Sequence, residues 1–193
     1  MLYSLALLIS QTAIEAAPQI PTPAPAARLP ANQVDPGVLP DSAETLQISK
    51  VGNWAIRIDK TLGYGCYAFA YYDDGTTLRI MASPTHNNVY IGLANPRWRS
   101  LQIEQSYLVD IQFGASEPWQ GNAAVIELSP TLKMLSLPID GEFLDELASS
   151  RLVEARYQKR PLAYLRLDRS KEMLDSLAAC QEAVEDYIDD PFN

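Results

Sequence analysis

The residues on which enzymes most often rely are scarce in this chain: one histidine, His86, and two cysteines, Cys66 and Cys180, among 193 residues. A serine triad would need His86 as its base, yet it sits in the turn-like run SPTHNN and nothing resembling a nucleophile elbow accompanies it. Three imidazole and thiol groups in all are too few for the common zinc sites. The spacing of a calcium loop, a phosphate loop and a dinucleotide fingerprint opening a helix are also missing, so no cofactor and no metal is expected. Positive charge is short as well. Fifteen Lys and Arg stand against 24 Asp and Glu, for a net charge of −9 and a pI near 4.6. That average field repels phosphate backbones and anionic membranes, so no nucleic acid is expected as partner. The small basic clusters, Arg97 with Arg99 and Arg156 with Lys159 and Arg160, read as solvated faces.

What is present divides the chain in three. Residues 1–17 resemble the apolar core and small-residue end of a secretory signal, without a positive n-region. They are too short for a membrane span of about 20 apolar residues, so no integral span is expected in the mature chain. Residues 18–45 read as a linker, because Pro18 to Pro40 holds seven of the fourteen prolines and prefers extended conformations. Its PTPAP run, 21–25, has the spacing of a proline-recognition ligand. Residues 46–193 read as a single α+β domain with an acidic C-terminal tail from Glu182 to Asp190.

In that domain, period-two alternation marks short strands. Trp54, Ile56 and Ile58 alternate with polar neighbours, and Cys66, Ala68 and Ala70 share one strand face while Tyr67, Phe69 and Tyr71 share the other. Asp73-Asp74-Gly75 predicts a hairpin turn before Leu78, Ile80 and Ala82. Val89–Ala94, Tyr107–Phe113, Asn122–Leu128 and Lys133–Ile139 follow, and Arg151–Tyr157 with Leu162–Leu167 predicts a hairpin turning at 158–161. Short strands at this spacing predict a curled antiparallel β-sheet, either a sandwich or a partly open barrel, with two helices in the C-terminal third.

The helices come from two strand-to-helix units, MLSLPIDGEFLDELASS at 134–150 and LAYLRLDRSKEMLDSLAAC at 162–180. Each passes from an apolar alternating run through an Asp to Leu-Asp-x-Leu-Ala. The period changes from two to helical at Asp140 and near Asp168–Ser170, where Asp or Ser can accept first-turn amides. In the last helix Met173, Leu177, Cys180, Val184 and Tyr187 recur at three and four, so Cys180 points at the core. Its expected partner is Cys66, on a strand face of Cys and Ala that a helix can approach closely; two buried free thiols are the alternative.

The aromatic residues offer a possible binding face made of Tyr67, Phe69, Tyr71, Trp98 and Trp119, since rigid rings with a polar atom suit interfaces. The competing reading of the first three is a packed core. Carboxylates are plentiful, and Asp73, Asp74, Asp110, Glu117 and Glu127 lie on strands or loops. Asp73 and Asp74 are more simply turn formers, Asp110 and Glu127 more simply the polar face of a sheet.

With its apolar leader, Pro/Ala tether, VGNW at 51–54, CYAF at 66–69 and closing LAAC, the chain resembles small exported proteins of alphaproteobacteria. Over roughly 50–180 it is similar to the invasion-associated locus B family. That resemblance implies a secreted or periplasmic β-rich domain and carries no residue-level role. The resulting expectation is a non-catalytic periplasmic or secreted domain, disulfide-bonded through Cys66 and Cys180, whose partner is another protein or an envelope component. Two alternatives stand beside it: an acidic immunity or adaptor protein neutralising a basic enzyme, and a hydrolase using paired carboxylates.

Overall fold

The structure, a computed structural model, describes residues 45–59, 65–83 and 88–189, with side chains in the last helix as far as Glu185. The expected leader, the linker up to residue 44, His86 and the end of the acidic tail lie outside the described residues.

In chain order the elements are β1 (Thr45–Val51), β2 (Trp54–Asp59), β3 (Gly65–Tyr71), β4 (Thr77–Ala82), β5 (Val89–Ala94), β6 (Ser106–Phe113), β7 (Trp119–Ser129), β8 (Leu132–Ile139), α1 (Gly141–Ser149), β9 (Leu152–Tyr157), β10 (Arg160–Arg166) and α2 (Ser170–Asp189). Local chemistry explains several boundaries. Between β3 and β4, Gly75 takes φ +86, and the Asp74 carboxylate accepts from the Thr76 amide at 2.9 Å and the Thr76 hydroxyl at 2.8 Å. A residue without Cβ takes that backbone conformation at little cost. Asp140 caps α1 by accepting from the Phe143 amide at 2.9 Å, as an Asp at that position should. Before α2 the chain turns through Arg169 at φ 58, and the Met173 amide bonds the Arg169 carbonyl at 3.0 Å. The buried Ser170 hydroxyl has no hydrogen-bond partner there, so it does not provide the cap that its position offered.

Among the described residues all ten strands join one sheet in the order β1-β2-β3-β4-β5-β8-β7-β6-β9-β10, antiparallel throughout. This corrects the expectation of a sheet curled into a sandwich or partly open barrel: the order is linear, β1 and β10 are edges, and the sheet stays open. The physical reasons are visible at both ends. The β1–β2 register slips between Gln47 and Ser49, and the β10–β9 register slips between Pro161 and Ala163. Bulges of this kind, with Lys50 on one edge and Pro161, Arg160 and Arg166 on the other, discourage further strand pairing. The two helices, in turn, cover apolar surface that curling would otherwise have to bury.

Side chains, not a strand ladder, connect the first strands to the β10–α2 junction. The Trp54 indole Nε1 donates to the Asp168 carbonyl at 3.0 Å, and the Tyr72 hydroxyl donates to the Arg166 carbonyl at 2.9 Å. Burial, with the Asp168 carboxylate adding to it, pushes the Tyr72 hydroxyl well above the ordinary tyrosine range.

The register sorts the residues into two faces. On the first, Ala68, Ile80, Ile91 and Leu137 form one cross-strand row and Ala70, Leu78, Leu93 and Leu135 the next. This face continues through Val109, Ile111, Val153 and Leu165, and Phe143, Leu147, Met173 and Leu177 of the helices join it in one hydrophobic cluster. The second face has its own cluster of Tyr67, Phe69, Met81, Ala94, Ile126 and Met134.

The expected disulfide is present. Cys66 on β3 bonds Cys180 on α2, with the α-carbons 6.1 Å apart and 114 residues between them in sequence. Alongside it the Cys66 amide donates to the Gln181 side-chain oxygen at 3.1 Å. The Cys-and-Ala strand face lets α2 lie close to β3, and the bond sets the helix against the first three strands.

Candidate functional site

The aromatic residues singled out in the sequence divide between the two faces. Tyr67 and Phe69 stack at 5.9 Å between centroids, and Tyr71 meets Phe69 edge-on at 5.3 Å. These three belong to the second face, where Tyr67 and Phe69 are buried and Tyr71 is 63% exposed. Trp98 packs against the helix-side cluster instead. Trp119 is the first residue of β7 and packs edge-on against Phe143 of α1 at 5.5 Å while its Nε1 donates to Glu146. Trp119 therefore anchors a helix, and the structure does not bring the five rings to one surface.

Of the carboxylates considered for a hydrolase, Asp74 and Asp110 have local roles. Asp74 shapes its turn, and Asp110 accepts from the Gln120 amide at 2.8 Å. Glu154 makes a two-pronged ion pair with Arg156, at 2.7 and 2.6 Å. Among the described residues no group of three or more His, Cys, Asp and Glu side chains is placed to hold a metal ion. No described helix is long and apolar enough to cross a membrane.

A concave site that was not anticipated lies between α1, α2 and the strand ends of β4 and β5. It is a groove of about 640 Å³. Val89, Leu144, Ala148, Leu174 and Ala178 supply its apolar lining. Asp145, Asp175, Glu182 and Glu185 line it with negative charge, and each is exposed. Lys171, the cation of this lining, is bound to Asp175 at 3.0 Å. With Lys171 and Asp175 paired, Asp145, Glu182 and Glu185 leave the groove a negative potential over an apolar floor.

The groove has a sequence counterpart. Its lining contains Leu144, Asp145 and Ala148 from one Leu-Asp-x-Leu-Ala segment and Leu174, Asp175, Leu177 and Ala178 from the other. In each helix the residue after the first buried one turns partly outward: Phe143 and Leu147 are buried beside half-buried Leu144, and Met173 and Leu177 beside half-buried Leu174. The repeat was thus a usable signal, because it places a second, narrower apolar stripe flanked by an Asp on both helices. Only the packing of α1 against α2 shows that the two stripes meet.

The sequence matches no protein-family model and no curated protein. The fold is similar to that of invasion associated protein B from Bartonella henselae, a crystal structure, with a TM-score of 0.53 and 14% identity. The similarity covers 71% of this chain and 99% of that one. The resemblance to the invasion-associated locus B family read from the sequence is met at the level of fold.

Proposed function

We propose that this chain is a periplasmic or secreted domain that acts by binding another protein, without catalysis, and that the groove between α1 and α2 receives a basic, amphipathic helical segment of that partner. The observation that carries this reading is the pairing of two equivalent helix stripes, Leu144/Ala148 and Leu174/Ala178, under Asp145, Asp175, Glu182 and Glu185. A helix laid in a groove uses apolar residues at three- and four-residue spacing, and lysines flanking them would meet the carboxylate rim.

Export is supported by the Cys66–Cys180 bond, since structural disulfides persist in oxidising compartments. That bond weighs against the intracellular immunity reading, although the acidic groove would suit a basic enzyme equally well. The fold likeness to a bacterial invasion associated protein agrees with an exported, interacting domain.

The test uses a synthetic amphipathic helix of leucine and lysine, with a leucine and glutamate helix as control. The basic helix should bind, with affinity that falls as salt rises. Replacing Asp175, Glu182 and Glu185 together by Lys should weaken it by roughly tenfold or more, at about 0.5 kcal/mol or more per rim charge. Equal binding of the acidic helix, or no effect of the triple variant, would sink the groove reading. Recovery of the native protein with both thiols free would remove the exported class.

A further inference from the structure

We infer that a second concave site, at the start of α1, binds a quaternary ammonium group. This pocket measures about 300 Å³ and shares no lining residue with the groove between the helices. Within its lining Ile111, Leu137 and Phe143 are buried, Trp119 is half-buried, and Gln120 and Asp140 are exposed. A space of this size, apolar inside and polar outside, suits a small molecule.

Two features select a cation. The Trp119 and Phe143 rings meet at 68° with centroids 5.5 Å apart, so they wall the pocket from two directions, and the indole is held by its Nε1 bond to Glu146. The face of an aromatic ring attracts positive charge, tryptophan most strongly. Asp140 supplies the opposite charge: one carboxylate oxygen accepts from the Phe143 amide at 2.9 Å, which leaves the second uncommitted among the described residues. The amino-terminal end of α1 opposes a cation with about half an elementary charge. Asp140 and Glu142, the acidic residue of the first turn, outweigh it.

The lining also says which cation. A primary ammonium carries three N–H donors, each of which needs an acceptor once it leaves water. Besides Asp140 the pocket's polar side chain is Gln120, and its amide already donates to Asp110 at 2.8 Å. A trimethylammonium group has no N–H to satisfy and presents only methyl groups to the rings and aliphatic carbons. The site is independent of the groove and of the partner proposed for it.

The experiment titrates the full chain with choline, and with its uncharged tert-butyl analogue, dimethylbutanol, while the tryptophan indole N–H signals are followed by NMR. Choline should shift the Trp119 signal and leave those of Trp54 and Trp98 in place. The uncharged analogue should bind roughly tenfold more weakly. Asp140→Asn retains a residue that caps helices well, so the fold is kept, and choline binding should weaken roughly threefold. Sedimentation with phosphatidylcholine vesicles but not with phosphatidylglycerol vesicles would make a lipid headgroup the source of the cation, and choline binding without it a free small molecule; either supports the site. Equal binding of the uncharged analogue, a shift confined to Trp54 or Trp98, unchanged affinity in Asp140→Asn, or no binding overturns the inference.

Discussion

The two faces of this sheet are built from the same strands and held by different means. Ile80 and Met81 are neighbours on β4, 0% and 1% exposed, and point to opposite sides. Ile80 meets branched aliphatic side chains in the cluster shared with both helices, of which α2 is tied to β3 by a disulfide. Met81 meets Met134 across Gly92, where a Cβ would come within 2.5 Å of the Met134 sulfur and 3.0 Å of the Met81 methyl. The first face is rigid and covalently tied; the second is filled by adaptable thioethers and stacked rings. Equal burial therefore does not mean equal constraint, and the contrast can be tested from its largest consequence downward.

The largest effect should come from untying the first face. Cys66→Ser with Cys180→Ser should lower the unfolding free energy by about 4–5 kcal/mol, for a loop of this length, measured by chemical denaturation. The same change should loosen the groove, because Gln181 and Cys180 position α2.

Next, Ile80→Ala should cost about 3–4 kcal/mol and Met81→Ala nearer about 2, since the flexible methionine opposite can partly refill the space. Equal losses in denaturation midpoint for the two variants would erase the distinction between the faces.

A smaller effect belongs to Tyr72, which ties β3 to the end of β10. Tyr72→Phe should cost about 1 kcal/mol at neutral pH through the lost hydrogen bond. The hydroxyl ionises less readily in the folded chain than in the unfolded one. Its contribution is thus fully present below the unfolded value of about 10 and is lost as pH rises above it. Denaturation midpoints from pH 8 to 11.5 should fall more steeply for the native chain than for Tyr72→Phe.

The smallest expected change is a gain. Gln158 and Lys159 make the β9–β10 turn with φ 49 and 65, a left-handed conformation that side chains disfavour. Lys159→Gly should stabilise the hairpin by about 0.5–1 kcal/mol, seen as a higher melting temperature.

Much of this architecture could be read before any coordinates. Asp140 was legible as a cap because an N-cap needs only a carboxylate next to a helical period. Gly75 was legible because positive φ is a local demand. The Cys66–Cys180 pair was legible because helical phase and strand phase each pointed a thiol inward, and there was no third. The strand expected from Asn122 begins instead at Trp119: β7 starts immediately after Glu117-Pro118, where a turn-like composition masks the strand start. The groove escaped notice because its floor belongs to two helices and a strand end, and each stripe taken alone looks like ordinary helix surface.

Residue order alone settled the strand periods, the two C-terminal helices, the cap of the first and the choice of disulfide partners, because each depends on side chains a few positions apart or on there being just two thiols. The position of β8 beside β5, the open edges at β1 and β10, and the meeting of the two Leu-Asp-x-Leu-Ala stripes were decided only in three dimensions. Main-chain hydrogen bonds between strands are almost indifferent to side-chain identity, so the order in which strands pair is chosen by how the whole set of apolar faces can be covered at once.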